Sequence, residues 1–381
     1  MARIYLDHAA TTPARPEVVE AMVPLLGGYN PSSLHAEGRA ARAALDEARE
    51  AVARVLGAAP REIVFTGGGS EAAVLAIVGS ARARAGRGRH VVTVATEHHA
   101  VLHAADLLEK DGWRVTRLPV SRDGLVDPEA FAAALTAETT IASVMLANNE
   151  IGVVQPVARL ARLARDRGVL FHTDAVQAAG WLPLSVDDLG VDLLSLSGHK
   201  FHGPKGVGAL YVRRGAPVEP VIVGGGQENG LRAGTENVAG IAGFATALRL
   251  AEAERTSTAA RVAALRDRLQ AGIVAAVPDV IVNGAGAPRL PGNLSVAFAN
   301  APSDALLIRL DLDGIAASAG SACAAGSLEP SHVAAALGLP DAYVLGVVRF
   351  SLGRQTTEAE VDDVIRRLPA LIAGVRTPLA V

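Results

Sequence analysis

Short, continuous apolar runs alternate with longer alanine-rich stretches through the first two thirds of the chain. Glu62-Ile-Val-Phe-Thr66 reads as a strand, and Glu71 to Arg84 as the helix after it. His90 to Ala95 reads as a second strand, again with a helical stretch following, through Lys110. Ile141 to Leu146 and Val169 to His172 are further compact runs. Between them Asp127 and Pro128 mark a helix start, as N-cap and first-turn residue. This βα succession predicts an α/β fold, with a mostly parallel sheet covered by helices on both faces. Polar residues gather just past several strand ends, where open sheets of this kind bind ligands.

The pattern changes after residue 255. Ser257 to Val277 predicts one long helix, and Val280–Val282, Leu294–Phe298 and Val347–Ser351 predict short strands. A last helix opens on the capping box Thr357-x-x-Glu360. The expected organisation is a large domain over residues 15–256 and a smaller α+β domain over 257–381, joined by the segment 1–14.

Composition narrows the function classes. Half of the 381 residues are apolar and only 3% aromatic, so Ala, Val and Leu must fill the core. Thirty-six basic against 39 acidic residues give a net charge of −3, without the basic surplus of a nucleic-acid binder. The run Ala21 to Ala36 is free of charge but broken by Pro24 and Pro31, so it predicts no membrane span. With no apolar signal core at the N-terminus, a cytoplasmic protein is expected. One cysteine, Cys323, excludes an internal disulfide and a self-contained iron–sulfur site.

Several segments carry candidate chemistry. Thr66-Gly-Gly-Gly-Ser-Glu71 lies between strand and helix, where free backbone N–H groups and the Ser70 hydroxyl could cradle a phosphate. Lys200 follows an apolar strand and lies between His199 and His202, a setting suited to a Schiff-base lysine. Asp174 ends another strand, where its carboxylate could hold a pyridinium nitrogen or cap a helix from Ala175. His99 and His103 have the spacing of helical zinc ligands, but with no intervening carboxylate or third ligand no metal site is expected. Val221 to Thr235 is glycine-rich, yet its spacing does not fit a dinucleotide fingerprint. Cys323 sits in Gly314–Leu328, a charge-free stretch of Gly, Ala and Ser that reads as a mobile loop bearing a swinging nucleophile.

Taken together, these motifs resemble the cysteine desulfurases of the NifS/IscS type, class V aminotransferases among the fold-type I pyridoxal-phosphate enzymes. The resemblance rests on Tyr5-Leu-Asp-His-Ala-Ala-Thr-Thr-Pro13, Asn30-Pro-Ser-Ser-Leu-His35, Thr96-Glu-His98 and Asn148-Asn-Glu-Ile-Gly152. It continues through Thr173-Asp-Ala-Val-Gln177, Ser197-Gly-His-Lys200, Arg232-Ala-Gly-Thr-Glu-Asn237, Gly320-Ser-Ala-Cys323 and Arg349-Phe-Ser-Leu-Gly-Arg354. It implies a seven-stranded, mostly parallel sheet in the large domain, and pyridoxal phosphate as cofactor. Lys200 would bind the cofactor covalently, Asp174 pair with its ring nitrogen, and His98 stack on the ring and shuttle protons. Gln177 and Asn149 would sit near the phenolic oxygen. Gly69, Ser70, Ser197 and His199 would take the phosphate, with Thr235 from the partner subunit of a homodimer. Arg349, with Asn30 beside it, would bind the carboxylate of L-cysteine, and Cys323 would receive its sulfur for a protein acceptor, either an iron–sulfur scaffold or a thiolation enzyme. His8 stands where relatives commonly have Asn. The alternatives are a selenocysteine lyase or plain aminotransferase on the same scaffold, or a non-enzymatic metal-binding protein built on His98, His99 and His103.

Overall fold

A computed structural model describes residues 3–320 and 330–376, so Cys323 lies outside the described residues. The strands, in chain order, begin with β1 (Ile4–Tyr5), β2 (Ile63–Thr66), β3 (His90–Val94) and β4 (Arg114–Leu118). Next come β5 (Thr139–Ser143), β6 (Leu170–Asp174), β7 (Leu193–Ser197) and β8 (Gly208–Val212). The last four are β9 (Val280–Val282), β10 (Asn293–Phe298), β11 (Ile315–Ala316) and β12 (Val347–Ser351).

Seven of these form the main sheet in the order β2-β8-β7-β6-β5-β3-β4. Only β8 runs against its neighbours, so the sheet is mostly parallel. The strands β3, β5, β6 and β7 are buried along their whole length, because helices cover both faces. The C-terminal ends of β2, β3, β5, β6 and β7 open on one side of the sheet, where such folds bind ligands.

A second, smaller core forms around the antiparallel sheet β12-β10-β9. Ile4 and Leu6 reach into it from the N-terminus, and β1 pairs with β11 beside it. The helix Val238–Ala276 serves both cores, with Ile241, Phe244 and Leu248 in the first and Val262, Leu265 and Leu269 in the second.

That helix begins at Val238, not at Ser257 as the sequence pattern suggested. Asn237 is its cap, accepting the Gly240 N–H at 3.0 Å. Ser257 lies mid-helix and donates its hydroxyl back to the Glu254 carbonyl at 3.0 Å, so it interrupts nothing. The helix after the glycine-rich turn starts at Gly69 and passes through a π-helical turn, Leu75–Gly79. The capping box at Thr357 and Glu360 forms, with amides donating in both directions at 2.8 and 3.3 Å.

Candidate active site

A cavity of about 740 Å³ opens at the C-terminal edge of the main sheet. Its walls are built by the loops that leave β2, β3, β5, β6 and β7, together with the N-terminal segment. Lys200 stands one 3-10 turn beyond β7, and its Nζ donates to the carbonyls of Ala9 at 2.7 Å and Ala10 at 2.8 Å. Gln177 Nε2 reaches the same Ala9 carbonyl at 2.9 Å. His199 Nδ1 lies 3.1 Å from the Thr11 hydroxyl, so three residues of the site are tied to one strap of backbone.

Asp174 is the last residue of β6 and is only 6% exposed. No helix follows it; its Oδ1 accepts the Val176 N–H at 2.9 Å and closes a turn. Burial pushes its carboxyl above the usual range, against the pull of His98 and Lys200. His98 caps the helix His99–Lys110, accepting the Ala100 N–H on Nδ1 at 3.1 Å. The neutral ring must therefore carry its proton on Nε2. Burial lowers the pKa of His98, and the Asp174 carboxylate opposes that shift.

The glycine-rich turn closes one end of the cavity. A Cβ on Gly69 would come within 2.9 Å of Val176 Cγ2 and 3.2 Å of Ser197 Cβ, so only glycine fits between these walls. The first-turn N–H groups of the helix that starts here have no partner within it. With Ser70, Ser197 and His199 they gather hydrogen-bonding groups at one end of the lining, a setting that could hold an anion. Burial holds His199 down at about 4, so its imidazole is neutral and serves as a hydrogen-bonding group.

At the other end Arg349 is fully buried. It donates to the Asn149 carbonyl at 2.8 Å, the Gly320 carbonyl at 3.0 Å and Asp7 Oδ1 at 2.8 Å, and its Nε has no partner among the described residues. Arg349 and Asn149 complete the group: Gly69, Ser70, His98, Asn149, Asp174, Gln177, Ser197, His199, Lys200 and Arg349 all line one cavity.

Asn30 does not join them. It is exposed, and its Oδ1 takes the Ser32 N–H at 2.9 Å instead. Thr235 is also exposed and outside the lining. The histidines 99, 103 and 332 cluster with tilted rings, the centroid of His99 lying 4.6 Å from His332 and 5.2 Å from His103. Among the described residues no group of three or more His, Asp or Glu is arranged to hold a metal ion.

Sequence reasoning passed over two buried acids. Glu97 is completely buried, accepts the Met145 N–H at 2.6 Å on Oε1 and leaves Oε2 without a partner among the described residues. Glu150 is 2% exposed and bonds Ser331. Both lay within quoted motifs, but an acid in a motif reads as a surface charge until the fold buries it.

A cavity with hydrogen-bonding groups gathered at one end, a primary amine, a buried carboxylate and an imidazole can hold a phosphorylated ring and bind an amino acid beside it. Residues 4–364 match the aminotransferase class-V family model. The chain is 48% identical over 376 residues to "Cysteine desulfurase IscS" of Dictyoglomus turgidum, covering 98% of this chain and 95% of that one. It is 47% identical over 383 residues to "Cysteine desulfurase NifS" of Azotobacter vinelandii, covering 99% and 94%. A solved "NIFS-LIKE PROTEIN" superposes with a TM-score of 0.91 at 36% identity, over 98% of this chain and 100% of that one. With the fold, the cavity and near full-length similarity in agreement, the chain belongs to the class V aminotransferase family.

Proposed function

We propose that this chain is a pyridoxal-phosphate-dependent cysteine desulfurase, converting L-cysteine to L-alanine and leaving the sulfur as a persulfide on Cys323. The observation that carries the reading is Lys200, His98 and Asp174 brought together on one cavity, where the lysine charge acts on both of its neighbours. The donor set suits the cofactor. Gly69, Ser70, Ser197 and His199 would hold its phosphate, Asp174 its ring nitrogen, His98 its ring face, and Asn149 and Gln177 its phenolic oxygen. Lys200 supplies the amine for its aldehyde.

When bound, the cofactor withdraws electron density from the substrate's Cα. Arg349 offers its guanidinium to the substrate carboxylate. Lys200 Nζ takes and returns the Cα proton, and His98 Nε2 exchanges one with the substrate thiol. Cys323, as thiolate, attacks the substrate sulfur; the S–S bond forms as the Cβ–S bond breaks, with its electron pair retained on Cβ. Protonation there completes alanine, so cysteine and one protein thiol give alanine and one persulfide without an external oxidant.

Residues 15–256 would thus supply most of the cofactor site and 257–381 the carboxylate-binding and sulfur-accepting groups. Thr235 would serve a second copy: its exposure supports that role, and the exposed apolar side chains Leu26, Tyr29, Leu34 and Val223 support pairing of two chains. The persulfide would then pass to an acceptor protein, such as an iron–sulfur scaffold or thiolation enzyme. No described helix is long and apolar enough to cross a membrane.

The test is turnover of L-cysteine with pyridoxal phosphate and a thiol reductant. Equal release of alanine and sulfide is expected, abolished in K200A and C323A. Sulfide released at full rate by C323A sinks the reading.

A further inference from the structure

The chain positions that carry Cys323 run between two described flanks, Gly320 and Ser331, and one buried side chain touches both. Ser331 Oγ donates to Glu150 Oε2. That hydroxyl also accepts the N–H groups of Val333 at 3.1 Å and Ala334 at 3.3 Å, so its single proton is committed to Glu150. On the other flank, a Cβ added to Gly320 would collide with the same Glu150 oxygen. The glycine has φ +31° and packs its backbone directly against the carboxylate. Arg349 secures this flank too, through the Gly320 carbonyl.

Glu150 is itself held firmly. Its N–H and that of Ile151 donate to Asn148 Oδ1 at 2.8 and 2.9 Å, and Asn148 Nδ2 donates to the Thr96 carbonyl at 2.8 Å. The carboxylate therefore stands on a closed turn anchored between the loops after β3 and β5. Burial pushes its pKa up, while Ser331 and Arg349 pull it down and favour the accepting form.

We propose that Glu150 is a positioning residue that holds the two described flanks, Gly320 and Ser331, and through them sets the approach of the Cys323 thiol to the substrate sulfur. The proposal rests on the reading of Cys323 as the sulfur acceptor. It separates two roles, because Glu150 serves the nucleophile and not the chemistry at Cα.

The experiment uses the holoenzyme and its E150A, E150Q and S331A variants. Two readouts are compared: single-turnover labelling of Cys323 by ³⁵S-L-cysteine, and pyruvate release from β-chloroalanine, whose chloride leaves without help from a thiol. In E150A, labelling should slow about 10- to 100-fold, the scale of a misplaced reacting group, with pyruvate release within about twofold of wild type. E150Q should recover most of the labelling rate, since its carbonyl still accepts the Ser331 proton. S331A, a milder change should E150A fold poorly, should slow labelling in the same direction by a smaller factor. Wild-type labelling rates in E150A or in S331A overturn the proposal. So does an equal loss of both readouts, which would make Glu150 a general structural support. Absence of label from Cys323 in the wild-type enzyme overturns instead the reading beneath it.

Discussion

His172 and Asp174 stand two residues apart on β6, both are buried, and their surroundings complete them in opposite ways. His172 is closed. Its Nδ1 meets Ser143 Oγ at 2.8 Å and its Nε2 meets Ser195 Oγ at 2.8 Å, so one imidazole ties β5, β6 and β7 together. Asp174 is open: one carboxylate oxygen takes the Val176 amide and the side chain faces the cavity. A buried polar group with all its partners stabilises the fold, whereas one left incomplete is available to a ligand. A buried polar group at a strand end is thus informative only once its partners are counted.

The largest effect should come from breaking the closed member. H172A leaves two buried hydroxyls without partners and opens a cavity, so unfolding in urea should show a loss of about 3–5 kcal/mol. Turnover per folded molecule should hardly change, and a loss of turnover at full stability would refute the contrast. The complementary change is D174N, which keeps an acceptor for the Val176 amide. It should cost at least about 100-fold in kcat, the scale of losing one preorganised electrostatic group. Its stability should equal or exceed that of the wild type, because burial holds the Asp174 carboxyl above the usual range and its charged form is a cost to the fold at neutral pH.

The two residues also differ in the sign of their pH dependence. Burial depresses His172 to about 3, so below about 6.5 the unfolded chain binds a proton that the folded chain refuses. Stability falls as pH drops through that window, by about 1.4 kcal/mol per pH unit for each such proton. His8, His90 and His199 are all held at about 4 and add to the slope. Urea titrations at several pH values between 7 and 5 should show H172Q with a slope smaller by about one proton. An unchanged slope would mean that His172 titrates normally in the fold.

Legibility in the sequence followed the same division. The strand and helix succession was readable because uninterrupted apolar runs such as Ile63 to Phe65 have few other uses. The edge strand β4 was not. Its Arg114 and Arg117 break the apolar run, and only the fold shows Arg117 paired with Asp106 and Glu109 at 2.6 Å, a charged edge of the kind that discourages further strand pairing. Lys200 and Asp174 stood out because one follows an apolar strand and the other ends one, at the edge where open sheets of this kind bind ligands. Asn30 was drawn to the site by its motif alone, and its own loop claims its side chain. Glu97, Glu150 and His332 were illegible because their significance is burial and contact between segments far apart in the chain. The contact of His332 Nε2 with the Glu97 carbonyl at 2.9 Å has no local pattern to announce it.

Glu97 gives the smallest expected effect and the finest test of the contrast between closed and open groups. It is more deeply buried than Asp174, and burial pushes its carboxyl well above the usual range, helped by the nearby Asp174 charge. One oxygen accepts the Met145 amide and the other has no partner among the described residues, so burial favours the protonated form. Two carboxylates of unequal burial are biased apart in this way: burial favours the neutral form of the deeper one, while His98 and Lys200 favour the charged form of the one facing the cavity. Gln reproduces a neutral Glu97 in shape and in its acceptor for Met145. E97Q should therefore change stability by less than about 1 kcal/mol and kcat by no more than a few fold. A loss in kcat approaching that of D174N would show that the negative charge beside the cavity is shared between the two acids, and Asp174 alone would no longer account for the open site.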